Sequence, residues 1–208
     1  MNKNQKSITL YHGGIQVIKP EDLYFPGPDE KYDFGPGFYL AMNKHTAEEW
    51  VKDKNNPVIT RYTLEYYDEE VKILSGEDWL KVIIGFRREA YPVIVTNNII
   101  AGDIANDRLF STLDAFLSPQ SIIGDLRVIE MLKYCNLGLQ YCLKSHANNL
   151  KYISHYQLKG ATLQQAQNRH YSRRVKMDSE LRRISRLPLQ NEKYVEDYIN
   201  LYSGGITI

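Results

Sequence analysis

Apolar and polar residues alternate over nine positions in Val58–Tyr66 (VITRYTLEY), the clearest strand in the chain. The same period of two marks Ser7–Tyr11 (SITLY), which His12-Gly13-Gly14 is expected to break. Shorter strands are expected at Phe38–Ala41, Val71–Leu74, Val93–Ile100 and Leu139–Leu143. Helical spacing takes over elsewhere. Asn43 can cap a helix through Thr46-Ala47-Glu48-Glu49-Trp50-Val51, which Asn55-Asn56-Pro57 closes. Asp78–Glu89 reads as a helix, as do Leu109–Leu117 and Ile122–Tyr134, the last with Ile122, Leu126, Ile129 and Leu132 on one face. Ala147–Ile153 reads as a short helix. Pro20–Pro28 is loop.

After Gly160 the pattern changes. Thr162–Arg186 is long, polar and helical in propensity, Pro188 breaks it, and a short amphipathic stretch follows at Glu192–Tyr202. Two units are therefore expected: residues 1–158 as a mixed core and 159–208 as a helical extension. Short scattered strands argue against a doubly wound parallel sheet and for an α+β arrangement. A helix as polar as Thr162–Arg186 buries little alone, so the extension is expected to pack weakly, pair with another copy or wait for an acidic partner.

Composition changes this picture little. The chain has 208 residues and a net charge of +1, enough length for a hydrophobic core and no global case for nucleic acid or an anionic membrane. Cys135 and Cys142 offer neither zinc spacing nor a disulfide framework, so no metal is implied. The N-terminus MNKNQKSITL shows no apolar signal segment, and no apolar run approaches a membrane span of about 18 residues, so a cytoplasmic protein is expected. Tyrosine stands out: sixteen residues, suited to half-buried surfaces and to clefts for flat ligands.

Three islands carry candidate chemistry: Tyr11-His12-Gly13, Gly35-Pro36-Gly37-Phe38-Tyr39-Leu40 and Leu139-Gln140-Tyr141. Together they make a sensible nicotinamide site. His12 offers an imidazole donor for a ribose hydroxyl, and Gly13, lacking Cβ, lets main chain approach a planar carboxamide. Tyr39 offers a face on which a ring can stack, and Thr46 a hydroxyl for the same carboxamide. The bland readings are a strand-end histidine bonded to backbone, a core tyrosine and a first-turn helix residue.

LYHGG followed by GPGFYLAMNKHTA resembles the ADP-ribosyltransferase superfamily, on the His-Tyr-Glu branch that includes the poly- and mono(ADP-ribose) polymerases. The chain is more similar still to a bacterial family of unassigned function with DFGxGFYL and a later Leu-Gly-x-Gln-Tyr strand, a likeness covering roughly residues 7–157. The resemblance implies a split β-sheet core, NAD as cosubstrate, His12 on the adenosine ribose, Gly13 on the carboxamide and Tyr39 on the nicotinamide ring. Thr46 falls one residue short of the family serine. The third triad position falls on Gln140, where the polymerases have glutamate, and a neutral amide gives less help to developing positive charge. Chain elongation is therefore not expected; the resemblance implies a mono-ADP-ribosyltransferase-like enzyme with an unnamed acceptor, with slow NAD hydrolysis or a silent ADP-ribose- or nucleotide-binding module as the alternatives.

Two further groups remain. Asp103, Asn106, Asp107 and Arg108 form a polar cluster, with Asp107 a candidate N-cap and a substrate-side or acid/base role the alternative. Glu48 and Glu49 read as solvated helix face, or as a replacement for the missing triad carboxylate. Arg169–Arg186 holds seven Lys/Arg against Asp178 and Glu180, again a solvated face or an arm for a nucleic-acid or protein partner.

Overall fold

The computed structural model describes residues 5–25, 32–105, 138–145, 149–184, 186 and 195–208. Its centre is a seven-stranded sheet of β1 (Lys6–Gly14), β2 (Phe38–Ala41), β3 (Val58–Tyr66), β4 (Val71–Leu74), β6 (Ile99–Asp103), β7 (Leu139–Leu143) and β8 (Leu150–Gln157). The strand order is β4-β6-β7-β2-β1-β3-β8, and only β4 and β6 run parallel. Helices α1 (Lys44–Val51), α2 (Gly76–Arg88), α3 (Gly160–Ile184) and α4 (Val195–Leu201) accompany it. A small parallel pair joins β5 (Val93–Ile94) to β9 (Ile206–Thr207). This mixture of antiparallel strands and separate helices is an α+β fold.

Alternation assigns the two faces. Leu10, Phe38, Leu40, Tyr62, Leu64, Ile99, Ala101, Tyr141 and Leu143 bury one face in a common cluster. Ile100 and Cys142 point the other way, onto Trp79, Leu80, Ile83 and Ile84 of α2. Further along that second face Ala41 and Ile59 meet Ala47 and Val51 of α1, with Leu158 and Ala166 beside them. Both faces are dry, so the period of two survives in the strands while the sheet centre reads as strongly apolar.

Three local readings change. β1 does not stop at Tyr11 but continues through His12-Gly13-Gly14, held in register by β3 from Lys6↔Tyr66 to Gly14↔Val58. Glycines without a positive φ fit a strand when its neighbour is long enough to carry them. Val93–Ile100 is two strands, β5 and β6, and β6 runs on to Asp103. The short helix expected at Ala147–Ile153 is instead the start of β8 at Leu150; residues 147 and 148 lie outside the described set. Tyr152, Ile153 and Tyr156 favour a strand, and the outer edge of β3 supplies the partner. The helices expected at 109–117 and 122–134, and Asn106, Asp107 and Arg108, fall outside the described residues.

The extension does not pack weakly. Met177 of α3 and Tyr198 of α4 are buried in the same cluster as Trp79 and Phe34, and Ala166 is buried against α1. β9 closes the chain, with Ile206 N–H donating to Pro92 O and Thr96 N–H to Ile208 O. No described helix is long and apolar enough to cross a membrane.

Candidate functional site

The sheet opens where β1 meets β2. β1 follows β3 along its whole length but pairs with β2 only at Tyr11↔Ala41. Continuing that register would set His12 opposite Leu40 and Gly13 opposite Tyr39, yet no ladder forms there. The His12 side chain occupies the parting: Nδ1 lies 2.9 Å from the Tyr39 carbonyl, and the ring stacks on Phe38 with centroids 4.5 Å apart. A carbonyl only accepts, so Nδ1 carries the proton and Nε2 keeps a lone pair. Burial lowers the imidazole pKa, with the Tyr39 carbonyl pushing the other way, so the ring is neutral at neutral pH. Nε2 is therefore an acceptor for a hydroxyl, not the donor expected from sequence.

A cleft of about 250 Å³ lies over this parting, lined by His12, Ile18, Tyr24, Tyr32, Gly37, Phe38 and Tyr39. It brings two of the expected residues, His12 and Tyr39, into one wall. Tyr39 does not present a bare face, because Tyr32 stacks on it at 5.2 Å and 27°. Its hydroxyl is also engaged, accepting from Phe34 N–H at 2.9 Å and donating to Gly35 O at 2.7 Å. Tyr39 thus holds the turn that precedes its own strand. Gly35 makes that turn with φ +71, and the Phe86 ring fills the space a side chain would need. Lys144 adds a clamp from β7's end, donating to Phe34 O and to Pro36 O at 2.9 Å, while burial lowers its pKa.

Gly13 is explained differently from expectation. A Cβ there would collide with the Ala47 carbonyl of α1, so the missing side chain lets α1 sit against β1. Its main-chain edge toward β2 has no strand partner. Thr46 is fully enclosed in the first turn of α1 and is not among the cleft's described lining.

Gln140 sits in a separate buried network. Its Nε2 donates to Asp33 Oδ2 at 2.6 Å and to Asp103 O at 3.4 Å. The other oxygen of Asp33 pairs with the Arg87 guanidinium, and Ala105 N–H donates to Asp33 Oδ2 at 3.1 Å. All three side chains are deeply buried: Asp33 6%, Arg87 5% and Gln140 3% exposed. Gln140 pairs with Ala41 and Cys142 with Tyr39, one pair apart, so the network lies two residues along β7 from Tyr39's partner. Sequence reading missed Asp33 and Arg87 as functional groups. Arg87 carried a signal, since it lies four and seven residues after Ile83 and Leu80, on the face that α2 buries. Asp103 is half-buried, and burial raises its carboxyl pKa.

Glu48 and Glu49 are not solvated. Both are buried, and the arginines of α3 reach them. Arg169 pairs with Glu48, Arg173 Nη1 lies 3.1 Å from Glu49 Oε2, and the Tyr156 hydroxyl donates to Glu48 at 2.6 Å. For Glu48 burial pushes upward, yet Tyr156, His45 and Arg169 hold the pKa below the ordinary value. For Glu49 burial wins, and Arg173 and Arg169 offset it only in part. Among the described residues no cluster of His, Cys, Asp and Glu is arranged to hold a metal.

No curated protein and no solved structure matches the chain. Residues 8–156, which carry His12, Asp33, Tyr39 and Gln140, match the family described as "Protein of unknown function (DUF3990)", and the chain belongs to that family.

Proposed function

We propose that the cleft between β1 and β2 binds NAD and that the protein is a mono-ADP-ribosyltransferase-like enzyme. It would break the glycosidic bond between nicotinamide and its ribose and pass ADP-ribose to a nucleophile on an acceptor. The reading rests chiefly on the His12–Tyr39 pair at the parting of the strands. There a neutral imidazole is locked by a carbonyl with its lone pair left over, beside aromatic rings and a glycine main-chain edge with no strand partner. These groups suit a planar carboxamide-bearing ring and a ribose hydroxyl. At about 250 Å³ the cleft falls below the roughly 300–1,000 Å³ of pockets that enclose drug-sized ligands, so it suits one end of a dinucleotide, with the rest outside. Tyr32 must shift, or pack edge-on, for a ring to reach Tyr39.

A second reading, a silent module that binds ADP-ribose or a nucleotide and acts through partners, is favoured by Gln140. Its amide is committed to Asp33, and the cleft's described lining contains no carboxylate to stabilise a developing oxocarbenium ion. Incubation with NAD labelled in its adenosine part, with and without cell lysate, separates the two. Nicotinamide release or label transfer is expected of the enzyme; NAD binding with neither would establish the module.

A further inference from the structure

The geometry points to a second site, on α3, for a phosphate-bearing small molecule. It is independent of the NAD cleft. A cavity of about 740 Å³ is lined, among the described residues, by Gln165, Asn168, Arg169, Ser172, Arg173 and Lys176, with Met177 beside them. Their spacing of three and four places them on one helix face. The two guanidinium groups are divided between inside and outside. Arg169 turns Nη2 to Glu48 and Nε toward Glu49, and Arg173 turns Nη1 to Glu49. Their remaining N–H groups are not buried and meet no protein acceptor among the described residues.

The buried glutamates thus hold the arginines in position while only part of each donor fork is used. Arginine's planar fork is suited to bonding phosphate oxygens along its free edge. Exposed Lys176 adds a third cation, and the Gln165 and Asn168 amides and the Ser172 hydroxyl add neutral donors and acceptors. The volume lies within the range of pockets that enclose a drug-sized ligand. Met177 beside them is turned into the core and leaves the polar and charged groups to face the cavity.

Neither Lys176 nor Ser172 touches Glu48 or Glu49 in an ion pair or hydrogen bond, and both are exposed, so both can be altered without uncovering a buried charge. The test is calorimetric titration of the full chain at low salt with inorganic pyrophosphate, ADP and adenosine. Pyrophosphate and ADP are expected to bind and adenosine to fail. Lys176→Glu and Ser172→Tyr should each weaken ADP about tenfold or more, with melting temperatures unchanged. Absence of binding by both anions, or binding that both variants leave intact, overturns the site. So does ADP binding that is lost in His12→Asn but kept in Lys176→Glu, which would place the ligand in the cleft. Single-stranded RNA binding where neither anion binds would assign this face to nucleic acid and overturn it too.

Discussion

His12 and Gln140 are both polar groups turned inward, and each makes a distinct prediction. The folded His12 imidazole has a lowered pKa, whereas the unfolded one titrates near its ordinary value. Its contribution to stability is complete above about pH 6.5 and declines as pH falls toward the folded pKa, because the unfolded chain takes up the proton first. His12→Asn keeps a donor for the Tyr39 carbonyl but cannot titrate. Urea unfolding at pH 7.5 and 5.5 should show a smaller loss for the variant; equal losses would contradict the buried neutral ring. Gln140→Glu would set a second carboxylate against Asp33, now 2.6 Å from the amide. Two such groups do not both ionise, so the new pKa is raised. The variant should be closest to the parent below about pH 4 and fall progressively behind as pH rises. A deficit independent of pH would mean that Gln140 only fills space.

At the scale of elements, the α1–α3 contact is the most consequential. Breaking a buried ion pair by removing one partner costs about 3–5 kcal/mol. Arg173→Ala is expected at the lower end, about 3 kcal/mol, because its guanidinium is a quarter exposed. Adding Glu49→Gln should recover much of the loss, since it removes a buried charge left with only the longer contacts to Arg169 and His170; a double variant no better than Arg173→Ala would show that packing governs the contact. Most strands were legible because alternation reports a sheet directly: Val58–Tyr66 and Leu139–Leu143 coincide with β3 and β7. β8 was not, because its pattern is nearly all exposed and its identity comes from the β3 edge beside it. Glu48 and Glu49 looked solvated for a related reason. Their partners lie about 120 residues later, and a charge run carries no mark of what it will face.

For the whole molecule, the question is what the extension supports. Truncation after Lys159 would take Ala166 and Leu163 out of the cluster that holds Ala41, Ala47 and Ile59, strip Glu48 and Glu49 of their arginines, and remove β9 from β5. The truncated chain is therefore expected to melt well below the parent or to aggregate, read by calorimetry and light scattering. A truncated chain as stable as the parent would show that the family region, residues 8–156, supports itself. Of the candidate site, His12 and Tyr39 could be picked out because each has glycines beside it in sequence, Gly13-Gly14 closing β1 and Gly35 and Gly37 ahead of β2. The Asp33–Arg87–Gln140 network was not, since its members come from the loop before β2, from α2 and from β7, which only the tertiary fold brings together. The account stands most directly on one measurement: calorimetric titration of NAD into the parent and into His12→Asn, with equal melting confirmed first. NAD should bind the parent and lose about tenfold or more in the variant, which lacks the Nε2 acceptor, while nicotinamide alone loses little. No NAD binding by the parent, or equal binding by both proteins, would contradict the cleft as an NAD site.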